Sequence, residues 1–334
     1  MLILFSVFDK FNLNTTKYLD YLNLKKAFFT YQSKKESHLT PKELTDSILD
    51  LKGTMNTKRV QTDMPVDHKL TITKDWLLGY IEGDGSFSLE RKYLNAIFSL
   101  AGTGEQLLLF NKIKEFLVNE LFKDKYSLFK LGLGKAILII KGKIGIDLEV
   151  SESVNHKSSL ALRINNLKIL NNYLIPYLDS MTFMTKKGLD YQDFKLICMA
   201  IYKGAEASEY IKELILKLSY TMNNYRLSTY DGKVELISES ERNLIANATP
   251  FKEYLSDGRV KNLISNEITS NPNSCIYEVI TPDKGVLLVE TLGEVISLVK
   301  GKSNMKLAGD QLEVNGYLIK RQPIFSNEIR MERV

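Results

Sequence analysis

The run Trp76-Leu77-Leu78-Gly79-Tyr80-Ile81-Glu82-Gly83-Asp84-Gly85-Ser86-Phe87 constrains this chain more than any other stretch, because it turns from apolar to acid and glycine within a few residues. Leu77, Leu78, Tyr80 and Ile81 are apolar on every side, which predicts a short buried helix rather than a surface one. Gly79 and Gly83, four apart, share a face on which a second backbone can come close. Asp84 is the odd residue: an anion at a helix C-terminus meets the negative end of the macrodipole and needs a cation or partner to compensate. Gly85 supplies the permissive backbone for leaving the helix, and Ser86 to Leu89 predicts a strand. Two readings stand at this point, a core helix closed by glycine with a solvated Asp84, or a helix whose last turn presents a carboxylate for use.

An internal repeat sets the frame around that helix. Lys17, Leu19, Asp20, Tyr21 and Lys25 recur as Lys187, Leu189, Asp190, Tyr191 and Lys195, at an offset of 170. Ile48, Leu49, Leu51, Thr54, Met55, Asn56 and Arg59 recur as Ile215, Leu216, Leu218, Thr221, Met222, Asn223 and Arg226, at an offset of 167. Each copy reads as two amphipathic helices joined by a turn, with Thr40 as N-cap and Pro41 at the first helical position of the earlier one. Asp84 precedes Leu189 by 105 residues, so the matching acid of the earlier copy falls ahead of Met1. The expectation is that the chain opens in the helical tail of a first repeat.

Between the copies, Ile97 to Leu100 is a second strand candidate, and Glu105 to Leu121 carries apolar residues at helical period. Lys130 to Lys143 reads as a hairpin bent near Gly132 and Gly134. Ser159 to Ile164 alternates, with Leu160, Leu162 and Ile164 on one side and Ala161 and Arg163 on the other. Asn165 to Tyr173 predicts a helix ended by Pro176. From Ser228 to Asn273 polar residues with Asp231-Gly232, Asp257-Gly258 and Asn271-Pro272-Asn273 as breakers predict a connecting region with short helices. Ile276 to Val279 and Val286 to Val289 form a hairpin pattern, Leu292 to Val299 a helix with a second short helix near Lys306, and Tyr317 to Ile319 a closing strand.

The 334 residues suffice for more than one core, and 44% apolar with 25% charged residues is ordinary globular composition. Cys198 and Cys275 lie too far apart for metal-type spacing and read as buried free thiols. The apolar runs Met1 to Phe8 and Ala136 to Ile140 are far short of a membrane span, and no secretory signal pattern opens the chain, so a soluble chain is expected. From Ser86 to Asp179 there are 13 basic against 9 acidic residues, most of the net +5 of the whole. A basic sheet face suits a phosphate backbone, and a solvated surface accounts for so small an excess equally well.

Letter by letter, Leu77 to Gly85 resembles the LAGLIDADG motif of homing endonucleases, with the preceding Trp76 and following Ser86-Phe87 often seen beside it. The order helix, two strands, helix, two strands, helices is similar to the family's repeat, and the resemblance covers about Leu19 to Arg226. It implies an α+β fold, an αββαββα repeat whose curved antiparallel sheet lies in the DNA major groove. The implied division is 1–65 as the tail of a first repeat, 66–230 as a complete repeat, 231–273 as a connection, and 274–334 as a small module similar to the helix-turn-helix modules appended to intron-encoded nucleases. A stabilising cap without nucleic-acid contact is the other reading of that module.

The resemblance, closest to fungal mitochondrial intron-encoded proteins, further implies a site-specific endonuclease that makes Mg²⁺-dependent double-strand cuts at an intron-insertion site in mitochondrial DNA. Gly79, Gly83 and Gly85 would pack the motif helix, and Asp84 would be a catalytic metal ligand and half of a shared site. Its partner acid would come from an upstream in-frame first repeat or from a homodimer, the third possibility being that no second acid is present and the chain binds without cutting. Arg163 matches a strand position that often carries a basic residue facing the scissile phosphate. Glu82 implies helix-end packing, and Ala101-Gly102 replaces a Gln often found at that strand end. The alternative is an RNA-binding maturase that assists splicing of its own intron and has lost cleavage. No membrane partner is implied.

Overall fold

The computed structural model describes residues 1–36, 38–122, 146–153, 156–226, 232–255, 258–269, 275–289, 291–302, 305–307 and 309–323. These group into two compact units. The expected hairpin at Lys130 to Lys143 and the breaker Asn271-Pro272-Asn273 lie outside the described residues.

The first unit holds Met1–Leu77, Gly102–Phe116 and Val150–Leu160. Helix α1 (Leu2–Lys10) places Phe5 against Tyr21, Phe28 and Phe29 of α2 (Lys17–Gln32), with ring centroids 6.0, 5.1 and 5.8 Å apart. The Tyr21 hydroxyl donates to Phe5 O at 3.2 Å and to Asp9 Oδ1 at 2.5 Å, and Lys25 pairs with Asp9 at 2.6 Å. Helix α3 (Pro41–Gly53) starts as expected: Thr40 accepts from the Glu43 N–H, and the Glu43 carboxylate accepts from the Thr40 N–H. After α3 the chain turns through Asn56 at φ 55°, whose N–H reaches Asp20 at 3.0 Å beside the Arg59 guanidinium.

The second unit holds Leu78–Ala101, Leu117–Glu149 and Ala161–Val334. It repeats that bonding scheme at the offsets read from the sequence. The Tyr191 hydroxyl donates to Ile175 O at 2.9 Å and to Asp179 Oδ1 at 2.7 Å, and Lys195 pairs with Asp179 at 2.7 Å. Asn223, at φ 58°, sends its N–H to Asp190 at 2.9 Å beside Arg226. The duplication is therefore one of hydrogen bonds as well as of letters, and it extends to residues that differ, Phe5 for Ile175.

Helix α4 (Lys74–Asp84) runs directly into β1 (Gly85–Glu90), followed by β2 (Asn95–Thr103), α5 (Leu107–Phe122), β3 (Ile146–Ser153) and β4 (His156–Ile164). The sheet order is β1-β2-β4-β3, with β1 and β2 antiparallel and Phe87 opposite Phe98. Alternation holds as expected: Phe87, Leu89, Phe98, Leu100, Leu162 and Ile164 are buried, and Arg163 faces out. The inward face packs on α8 (Lys187–Tyr202, numbered after two short helices below), where Phe87 meets Tyr191 and Phe194 at 5.5 and 5.2 Å between ring centroids. This mixed αββαββα order is the fold the sequence predicts. The third strand stands at 146–153, which the sequence reading left without an element.

Pro176 does not end a helix. Short α6 (Leu167–Ile169), capped by Asn166, passes through a π-helical turn at Leu170–Leu174 into α7 (Ile175–Asp179), with Pro176 in the first turn of α7. A π turn shifts the ladder by one residue, so a missing N–H directly after it is tolerated as at a helix start. Helix α9 (Glu209–Ser219) completes the repeat. The connecting region carries α10 (Glu239–Ala246) and a three-stranded sheet of β5 (Lys252–Tyr254), β6 (Val260–Asn262) and β7 (Ile268–Thr269), where only short helices were expected.

The last module is a sheet ordered β10-β11-β8-β9, from β8 (Cys275–Ile280), β9 (Val286–Val289), β10 (Gln311–Val314) and β11 (Tyr317–Pro323), covered by α11 (Leu292–Leu298). Val279, Val295, Val299, Leu307 and Ile319 form its core. A second helix near Lys306 is absent among the described residues, so they form no helix-turn-helix. The Gly301 N–H returns to Ile296 O at 2.9 Å, closing α11 and turning the chain away, and the Asn315 side chain takes the Val299 carbonyl at 2.8 Å. Cys198 and Cys275 are buried and free, as expected.

Candidate active site

Helix α4 shows why its sequence alternates bulk and notch. Leu77 and Ile81 are fully buried on one side. Gly79, Gly83 and Asp84 are exposed on the others, and a Cβ on either glycine would meet nothing within 4 Å. The expectation of a helix buried all round is thus corrected: the glycine face is open, with no second backbone against it among the described residues. Tyr80 bridges the two sides, its hydroxyl donating to Ala101 O at 3.1 Å. Burial, and then the Asp84 carboxylate one turn on, push the Tyr80 phenol up to about 12, so it stays a donor at neutral pH.

Gly85 is required for a different reason. A Cβ there would overlap the Ile81 carbonyl oxygen and lie 2.9 Å from Ile81 Cα, a backbone collision that no side-chain movement relieves. The chain can pass from helix to strand in one residue only with glycine at this point.

Two charged side chains fasten this helix end to the start of α8. Glu82 Oε1 accepts from the Thr185 N–H at 2.9 Å and from the Met184 N–H, an anion at the N-terminal approach of a helix. In return the Lys187 ammonium donates to Gly85 O at 2.7 Å, a cation at the C-terminal end of α4. The Lys187 ammonium thus brings a positive charge from α8 to the end of the helix that carries Asp84. Asn223 adds a third tie, its side chain donating to Phe87 O at 2.7 Å. Beside the helix end, Glu82, Gly83, Ser86, Lys186 and Arg226 line a cavity of about 480 Å³.

The resemblance marked Asp84, Arg163 and the three glycines, and these do not form one cluster. Asp84 is exposed, with no hydrogen bond or ion pair on its carboxylate among the described residues. Arg163 pairs with Glu149 across the sheet at 2.9 Å, and among the described residues no ion pair or hydrogen bond joins it to Asp84. No group of three or more His, Cys, Asp or Glu able to hold a metal occurs among the described residues. The oxygen of one free, exposed carboxylate suits a hard divalent cation that keeps most of its waters, so Asp84 fits as one ligand and not as a complete site.

At Gly102 a Cβ would overlap the buried Phe110 ring and lie 2.6 Å from Gln106 Oε1. The place where a Gln is often found is thus filled by Phe110, and Gln106 instead accepts from the Thr103 N–H at 3.0 Å. Lys187 went unassigned at the level of sequence, although its recurrence as Lys17 was visible there.

Residues 125–198 match the family profile described as LAGLIDADG endonuclease. The chain is 34% identical over 122 residues to the probable intron-encoded endonuclease Cox1-I1b of Schizosaccharomyces pombe, covering 36% of this chain and 30% of that protein. It is 24% identical over 240 residues to the uncharacterized mitochondrial protein RF1 of Saccharomyces cerevisiae, covering 67% of this chain and 46% of that protein. The chain spans less than half the length of these two relatives. Among solved structures it is similar to the I-SmaMI LAGLIDADG homing endonuclease bound to cleaved DNA, at TM-score 0.47 and 22% identity over 66% of this chain and 70% of that one. It is also similar to I-LtrWI bound to target DNA, at TM-score 0.47 and 20% identity over 67% of this chain and 71% of that one.

Proposed function

We propose that this chain is the second half of an intron-encoded, site-specific DNA endonuclease that makes Mg²⁺-dependent double-strand cuts at an intron-insertion site in mitochondrial DNA. The observation that carries the reading is Asp84: an exposed, unengaged carboxylate at the end of a helix whose neighbouring face is left open by Gly79 and Gly83. A divalent cation held by Asp84 and a second acid would activate water and neutralise charge on the scissile phosphate. The second acid belongs to a first repeat encoded upstream in frame, with a homodimer of this chain as the competing source. The units 1–65, 66–230, 231–273 and 274–334 then serve as first-repeat tail, complete repeat, connection and accessory module.

Within this reading the chain's own residues have distinct tasks. Glu82 and Lys187 fix the exit of α4, the glycine face receives the partner helix, and the outward face of β1 to β4 meets the DNA. Arg163 reaches the phosphate only after leaving Glu149. The test is cleavage of duplex DNA spanning the intron-insertion site with Mg²⁺, by this chain, by an upstream-extended form, and by each with Asp84→Asn. Failure of both wild-type forms to cut removes the nuclease reading.

A maturase without cleavage is the second reading, favoured by the Phe110 ring at Gly102 and by the engaged Arg163. Splicing of the host intron that is unchanged when the protein is removed excludes it.

A further inference from the structure

The two copies of the helical tail differ at one position in a way that changes its charge. In the first copy Asn23 donates to the Thr54 hydroxyl at 2.9 Å. The Arg59 guanidinium there gives two donors, Nε and Nη2, to Asp20 Oδ1 at 3.1 and 3.0 Å. Asp193, Thr221, Asp190 and Arg226 stand at the matching positions, 170 or 167 residues further on. Asp193 therefore replaces an amide by a carboxylate, and it is only 1% exposed. The bonding changes with it. Arg226 is now divided: Nη1 goes to Asp190 at 2.6 Å, and Nη2 goes to Asp193.

One guanidinium is a poor match for two buried carboxylates, since a buried anion without its own cation is strongly destabilising. The second cation comes from outside the repeat. Arg242 of α10 donates through Nη1 to the other Asp193 oxygen. Helix α10 is fixed where it does so: Ser238 and Glu241 form a capping box at its start, Lys217 of α9 pairs with Glu241 at 2.8 Å, and Ile245 is buried. Arg226 in turn lines the cavity beside the end of α4, together with Glu82, Ser86 and Lys186. Among the described residues its Nε has no acceptor, whereas the Nε of Arg59 is spent on Asp20.

From this difference between the copies we infer that Arg242 is a positioning residue for the candidate site. By balancing half of the demand of Asp193, it lets Arg226 stay divided between two carboxylates with its Nε left for the cavity. Without Arg242, Asp193 claims Arg226 as Asp20 claims Arg59, with two donors on one carboxylate, and the guanidinium turns away from the cavity. The connecting region thus supports the site through α10. What Arg226 meets in the cavity, a phosphodiester oxygen, rests on the nuclease reading, but its placement does not.

The test is NMR of residues 1–334 with labelled arginine, following the Nε–H signal of Arg226. In Arg242→Met this signal should shift, and the Asn223 N–H, which shares Asp190 Oδ1 with Arg226, should exchange several-fold faster. Arg242→Lys, which keeps the charge and one donor, should restore both. Asp193→Asn gives the second copy the side chain of the first, and in that background Arg242→Met should move neither reading. An Arg226 signal unmoved by Arg242→Met, or the same shift in the Asp193→Asn background, overturns the inference. Should Arg242→Met alone not fold, the double variant decides: its folding supports the inference and its failure to fold overturns it. Absence of DNA cleavage by the wild-type forms sinks the nuclease reading and leaves the positioning by Arg242 standing.

Discussion

Asp84 stands where its charge is least welcome, and a substitution there separates stability from chemistry. Asparagine keeps the shape and removes an anion from the negative end of α4, so Asp84→Asn should raise stability by about 0.3–1 kcal/mol. The DNA cleavage proposed above should fall to background in the same variant. Thermal melting and a nicking assay on one preparation check both signs, and a loss of stability would mean that the carboxylate is held by a partner in the fold. The glycines of the same helix divide in the same way. Gly85→Ala forces a Cβ onto the Ile81 backbone and should cost about 1–3 kcal/mol, in the range of overpacked interiors. Gly83→Ala enters open space and should stabilise the chain by up to about 1 kcal/mol through helix propensity. Chemical denaturation of the two variants should therefore give opposite shifts in midpoint.

At the scale of elements, the fastening of α4 to α8 is a pair of exchanged charges, and removing one leaves its partner half served. Glu82→Gln keeps an acceptor but loses the charge that suits the Met184 and Thr185 N–H groups, and should cost about 1 kcal/mol while speeding hydrogen exchange of those amides. Unchanged exchange at 184 and 185 would sink the role assigned to Glu82. Helices α9 and α10 are joined in another way, through Lys217, which pairs with Glu241 at 2.8 Å and Glu235 at 2.6 Å. Lys217, and then the Ser238 N–H and hydroxyl, hold the Glu241 carboxyl down to about 2 from its ordinary 4.5. A carboxylate depressed by folding contributes above its unfolded value and loses that contribution as the pH falls through the folded one, so this joint should weaken between about pH 4.5 and pH 2. An NMR titration of Glu241 tracks it directly, and Lys217→Met should move the midpoint back toward 4.5.

For the whole molecule, what could be read in advance follows the range of the forces involved. Strand β4 was legible because Leu160, Leu162 and Ile164 alternate with Arg163, and α3 because Thr40 and Pro41 mark its start from within a few residues. The end of α4 was legible as an oddity, since Asp84 conflicts with a local dipole. The cation that α8 brings to that helix end was not, because Lys187 is distant in sequence and nothing in its neighbours says where its ammonium goes. Pro176 misled for a similar reason: a π turn forms when tertiary packing rewards one extra residue, here around buried Asn171 and Asn172, and no local pattern encodes it. The small sheet at β5 to β7 has strands of two or three residues, too short to show a period. The second helix near Lys306 was a weak pattern, and the Gly301 closure overrode it.

Glu82, Gly85, Phe87, Thr185, Lys187 and Asn223 are joined to one another by bonds that stay inside a single stretch of chain. The position of Asp84 is consequently settled without reference to any other polypeptide, in the manner of a cartridge that arrives already assembled. So assembled, the helix end holds Asp84 in place whether or not anything lies against Gly79 and Gly83.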